Sequence, residues 1–109
     1  MSEAELQSAI LAYLRAQPDF HPIRILIRRA RGRTNSGTAK GVSDVVGVGP
    51  LGKFYAVEAK TPNGMVSDEQ ADFLALVNRL GGYGIVARSL EDVREMVRKM
   101  RTAADRRSA

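Results

Sequence analysis

Asp44, Glu58 and Lys60 are the residues whose types and spacing could do chemistry. They belong to DVVGVGPLGKFYAVEAK, two apolar strand-like runs around a glycine-rich turn. A tight antiparallel hairpin would fold residue 44 back onto residue 58, so that two carboxylates converge at one end. Hard oxygen donors of this kind, together with the backbone carbonyl of Ala59, suit Mg²⁺ or Mn²⁺. Strand side chains alternate between faces, so Lys60 would project like Glu58. There its ammonium could hold or deprotonate a water and offset phosphate charge. Such a set could serve metal-assisted phosphodiester hydrolysis. The alternative is an exposed Glu–Lys ion pair at a strand end, worth at most ~1 kcal/mol.

Charge along the chain favours the chemical reading. Lys and Arg number 17 against 12 Asp and Glu, a net +5 over 109 residues. Between Asp19 and Asp44 there is no acid, while Arg24, Arg28, Arg29, Arg31, Arg33 and Lys40 all fall there. Clustered basic charge is what a polyanion binder needs, because neutralising phosphates releases counterions. Without interleaved aromatics, this stretch implies backbone contact rather than base stacking. Asn35 and Ser36 add polar donors to it. A second basic group, Arg98, Lys99, Arg101, Arg106 and Arg107, reads more simply as a solvated face or tail. The absence of cysteine excludes disulfides and thiolate metal sites. No apolar run is long enough to span a bilayer. The N-terminal segment carries acids where an export signal needs basic residues, so an intracellular location is expected.

The turn between the two runs imitates a nucleotide site. Gly47, Gly49 and Gly52 read GxGxxG, and Gly47 to Lys53 reads GxxxxGK. Either motif requires a helix N-terminus to follow it, where backbone N–H groups meet phosphate. Here KFYAVEAK follows, which is strand-like; Pro50 removes a donor, and Phe54 stands where a hydroxyl would hold magnesium. The glycines therefore read as a hairpin turn.

Three helices and four strands must position these groups. Ser2 with Glu5 forms a capping-box pattern before Leu6, Ile10, Tyr13 and Leu14 at helical spacing. Ser67 with Gln70 repeats it before Phe73, Leu74, Val77 and Leu80, closed by Gly81-Gly82. Ser89 starts a third helix with Leu90, Val93, Met96, Val97 and Met100, expected to fray into the polar TAADRRSA. Strands are expected at residues 23–28, 45–48, 53–60 and 83–87. The order α-β-β-β-α-β-α predicts an α/β domain with a central mixed sheet flanked by helices, spanning residues 1–100, and a basic polar tail at 101–109.

GVSD (Gly41–Asp44), EAK (Glu58–Lys60) and SDEQ (Ser67–Gln70), in that order, resemble the motifs of the PD-(D/E)xK nuclease superfamily, and more narrowly of the VRR-NUC family. RTNSG (Arg33–Gly37) and GGYGIVARSLEDV (Gly81–Val93) extend the resemblance to nearly the whole chain. It implies a restriction-endonuclease-like αβββαβ core with an extra C-terminal helix. It further implies that Asp44 and Glu58 are metal ligands, that Ala59 lends its carbonyl and that Lys60 is the catalytic lysine. Gln70 would orient the lysine or the scissile phosphate. A capping role explains the same glutamine without catalysis, and both roles together would require it to relocate. An acid on the first helix is also implied. Glu5 has a capping job with Ser2, so Glu3 is the choice. Ser43 departs from the family's frequent proline before the aspartate, which should cost rigidity and leave metal chemistry intact. Small members resemble homodimeric enzymes that act on branched DNA, including four-way junctions, in a bacterial cell or phage-infected host. Of the remaining residues, His21 between prolines reads as a loop residue, and Tyr13, Tyr55 and Tyr83 as core edges.

Overall fold

The computed structural model describes residues 1–25 and 41–108 of the chain. Helix α1 (Glu3–Arg15) leads to strand β1 (His21–Arg24), then β2 (Val45–Val48), β3 (Phe54–Ala59), α2 (Asp68–Arg79), β4 (Tyr83–Ala87) and α3 (Leu90–Ser108). The order of elements is the expected one. His21 opens β1 rather than lying in a loop. The expected continuation of β1 through residues 26–28, and Arg28, Arg29, Arg31, Arg33, Asn35, Ser36 and Lys40, lie outside the described residues.

The strands form one mixed sheet in the order β1-β2-β3-β4. The first two pairings are antiparallel and β3 runs parallel to β4, with α2 as the crossover between them. Alternation along β3 sorts the core into two layers. Tyr55, Val57 and Ala59 face α1 and α3, meeting Ile10, Leu14, Val93 and Val97. Ala56 faces α2, meeting Leu74 and Val77. Each large aliphatic side chain so buried contributes roughly 1.5–3 kcal/mol. Tyr55 is fully buried and central rather than at a core edge, as its place in the sequence suggested.

The glycine-rich turn is a short 3₁₀ segment, Pro50–Gly52, between two strands, as a hairpin requires. A Cβ on Gly47 would lie 2.3 Å from the His21 carbonyl oxygen and 2.4 Å from the Tyr55 hydroxyl, so a side chain has no room there. Gly52 takes the left-handed region, with φ +75. Close approach and turn geometry thus explain the glycines that imitate a phosphate loop.

The C-terminal residues correct an expectation. Residues 101–108 do not fray; they are the last turns of α3. Arg101 anchors them, donating to both Asp19 carboxylate oxygens at 2.9 and 2.8 Å and to Gln17 Oε1 at 2.9 Å, with its guanidinium over the Phe20 ring. Alanine and arginine are strong helix formers, so a polar composition there does not prevent a helix. Among the described residues, no helix is long and apolar enough to cross a membrane.

Candidate active site

The register places Val45 opposite Val57, which sets Asp44 against Glu58 at the end of the hairpin away from its turn. Both backbones reinforce the approach. The Asp44 N–H donates to Glu58 Oε2 at 3.2 Å, and the Ala59 N–H donates to Asp44 Oδ2 at 3.3 Å. On its other side, the Asp44 carbonyl accepts from the Ile25 N–H at 2.9 Å, so β1 also holds this residue in place. Asp44 is half-buried and Glu58 is only 1% exposed. Burial, then the side-chain hydrogen bond and negative charge of Asp44, push the Glu58 carboxyl up to about 8, against weaker downward pulls from the Asp44 backbone N–H and from Lys60.

Lys60 lies one residue beyond β3, its N–H donating to the Ala87 carbonyl at 3.0 Å. Its ammonium is 3.8 Å from Glu3 Oε1 in the first turn of α1, with the lysine side chain 15% exposed and the glutamate 52%. The lysine ammonium thus meets the acid of α1 while its charge still acts on the Glu58 carboxyl. Glu5, the other candidate acid, is occupied at the helix cap: its carboxylate accepts from the Ser2 N–H at 3.0 Å and its N–H donates to Ser2 Oγ at 3.1 Å.

Gln70 makes two contacts at once, one at the helix cap and one with Glu58. Its Oε1 accepts from the Ser67 N–H at 2.9 Å, completing the α2 capping box. Its Nε2 donates to Glu58 Oε1. A side-chain amide has one accepting and one donating end, and each is used in its proper sense. Gln70→Glu separates the two tasks, because a carboxylate can still cap the helix but presents a like charge to Glu58. The expected outcome is unchanged helix content with a loss of roughly 1–3 kcal/mol at pH 8 in chelator, shrinking towards pH 5, by urea denaturation with circular dichroism. Wild-type stability at pH 8 would show that the amide does not hold Glu58.

The structure therefore brings together Glu3, Asp44, Glu58, Ala59, Lys60 and Gln70. Among the described residues, no three His, Cys, Asp or Glu side chains cluster as a ready-made metal cage. Two carboxylates and a backbone carbonyl match the oxygen-rich, partly hydrated coordination that Mg²⁺ accepts. Ser43, next to Asp44, is 1% exposed and its hydroxyl has no hydrogen-bond partner among the described residues. Arg88, which lies in the GGYGIVARSLEDV stretch but has no role assigned from sequence, binds the loop that follows Lys60. A cleft of about 240 Å³ at the turn end of the hairpin, lined by Pro50, Leu51, Tyr83 and Met100 among others, contains none of these groups.

Comparison with known protein families gives one match: the model of the VRR-NUC domain matches residues 2–91, a span that includes every residue of this cluster and stops at the start of α3. No curated protein and no solved structure matches the chain significantly.

Proposed function

Because the chain belongs to the VRR-NUC domain family, a nuclease family of the PD-(D/E)xK type, we propose that it is a divalent-metal-dependent, structure-selective DNA endonuclease that resolves four-way junctions as a homodimer. The observation that carries this reading is the juxtaposition of Asp44 with the buried Glu58, whose proton affinity is raised by burial and then by the neighbouring Asp44. Asp44 and Glu58 would hold Mg²⁺ or Mn²⁺, with the Ala59 carbonyl as a third donor. When bound, the cation would polarise a phosphoryl oxygen and acidify water.

The chain's own residues do the rest. Gln70 holds the Glu58 carboxylate in a fixed rotamer while capping α2. Lys60 donates hydrogen bonds to the attacking water and offsets charge on the phosphate. Glu3, in turn, limits the positions that the lysine ammonium can take. Water oxygen attacks phosphorus and gives up a proton to solvent, the P–O bond to the leaving oxygen breaks, and the leaving oxygen takes up a proton from solvent. The basic residues Arg28, Arg29, Arg31, Arg33 and Lys40, with Asn35 and Ser36, would contact the phosphate backbone. A domain of this size offers little surface for a branched substrate, and a two-fold dimer would present two sites to two strands. The enzyme would act in the cytoplasm of a bacterial cell or phage-infected host.

The test is cleavage of end-labelled four-way junction, flap and linear duplex with Mg²⁺ or Mn²⁺, alongside sedimentation equilibrium. Symmetric paired cuts in the junction by a dimer are expected. Preferential cutting of flap or linear DNA, or a monomer that cuts one strand, would overturn the junction assignment while leaving a nuclease.

A further inference from the structure

The loop from Lys60 to Ser67 joins β3 to α2, with Lys60 at its start and Gln70 just beyond its end. None of residues 61–66 belongs to the hydrophobic core clusters, and Met65 is 85% exposed. Apolar burial therefore does not fix this loop, and hydrogen bonds must. One side chain supplies most of them. Arg88 Nη1 donates to the Thr61 carbonyl at 2.7 Å and the Gly64 carbonyl at 2.9 Å, with a longer approach of 3.3 Å to the Pro62 carbonyl. The loop is turned to present these oxygens by a Gly64 N–H bond to the Thr61 carbonyl at 2.9 Å.

The clamp is itself anchored. Arg88 directly follows β4, and its N–H donates to Asp92 Oδ2 at 2.8 Å in the first turn of α3. One residue earlier, the Ala87 carbonyl receives the Lys60 N–H at 3.0 Å. The end of β4 thus grips the loop twice, at the lysine's own backbone and at the turn beyond it. A planar guanidinium suits this task, since its donors are fixed relative to one another and its charge strengthens each bond to a carbonyl.

We infer that Arg88 is a positioning residue for the active site, holding the β3–α2 loop so that Lys60 at its start and Gln70 just beyond its end keep their places about Glu58. This rests on the site reading above, in which Lys60 and Gln70 serve phosphodiester cleavage. Arg88 spends Nη1 on the protein's own carbonyls, so its removal should displace groups of the site rather than only delete a phosphate contact.

The experiment compares wild type, Arg88→Ala, Arg88→Lys and Lys60→Ala on the DNA that wild type cuts best. Single-turnover rate at saturating enzyme, DNA affinity over a salt series, and thermal stability are measured for each. The Arg88→Ala rate is expected to fall roughly 10- to 100-fold, the scale set by small misplacements of reacting groups. Its DNA affinity and salt slope should match wild type, and methylguanidinium at millimolar concentration should restore part of the rate. Arg88→Lys keeps the charge without the rigid fork and should fall between the two; it also reports on the clamp should the alanine variant not fold. A wild-type rate in both Arg88 variants, with or without lower thermal stability, would overturn the inference. So would weaker binding with a salt slope reduced by about one at an unchanged rate, the mark of a lost phosphate contact. Lys60→Ala separates the two levels. Undiminished cutting there removes the site reading and this inference with it, whereas loss of cutting there with none in the Arg88 variants removes this inference alone.

Discussion

Glu58→Gln should eliminate cutting while making the metal-free protein indifferent to pH where wild type is not. Loss of a carboxylate ligand removes the several kcal/mol that a bound cation contributes to the transition state, about 1,000-fold or more in rate. Its effect on stability has the opposite character. The Glu58 carboxyl is held up to about 8 in the fold, from an ordinary value of 4.5, chiefly by burial and then by Asp44. Between those two values the folded protein keeps a proton that the unfolded chain releases. Unfolding therefore becomes easier as pH rises through that window, by up to about 1.4 kcal/mol per pH unit. Below pH 4.5 the penalty is absent, and above pH 8 it is complete. In EDTA, the wild-type urea midpoint should fall from pH 5 to pH 8, and that of Glu58→Gln should stay level over the same range. Parallel pH profiles for the two proteins would mean that Glu58 is not the strained carboxylate.

Lys60→Ala should lower the single-turnover rate by about 100- to 1,000-fold, the range found on removing one donor that serves the transition state. Its ammonium meets Glu3 at 3.8 Å with the glutamate half exposed, an ion pair that contributes little to stability. The thermal midpoint should therefore change by only a few degrees or less. DNA affinity should hardly move, since one charge is lost from a chain rich in basic residues. A large fall in rate with little change in folding or binding identifies a residue acting on the reacting atoms. A rate within a factor of about two of wild type would assign the lysine to the surface.

The hairpin and its convergence were legible from the sequence because few constraints decide them. Two apolar runs and a turn containing Gly49-Pro50-Leu51-Gly52 leave one compact register, and that register sets Asp44 against Glu58. Both capping boxes were legible for a similar reason: the partners are three residues apart and need no tertiary context. Gln70 was only half legible. Its Ser67 contact is local, but its contact with Glu58 depends on how α2 crosses β3 and β4, which no spacing encodes. The contact of Lys60 with Glu3 was not legible, because it depends on where the first turn of α1 packs against the end of β3, at Ala59. Arg88 falls within the GGYGIVARSLEDV stretch, but its clamp was not legible, since bonds to backbone carbonyls place no demand on side-chain identity at Thr61, Pro62 or Gly64. The length of α3 was hidden in the same way, fixed by Arg101 reaching Asp19 from the far end of the chain.

Everything proposed for this domain depends on Asp44 and Glu58 forming a metal-dependent phosphodiester-cleaving centre. Cleavage of labelled DNA in Mg²⁺ by wild type and Asp44→Asn, purified side by side, tests it most directly. Wild type should cut, EDTA should stop it, and Asp44→Asn should be inactive while binding the same DNA. Equal cutting by the two proteins, or wild-type cutting that persists in EDTA, would contradict the claim.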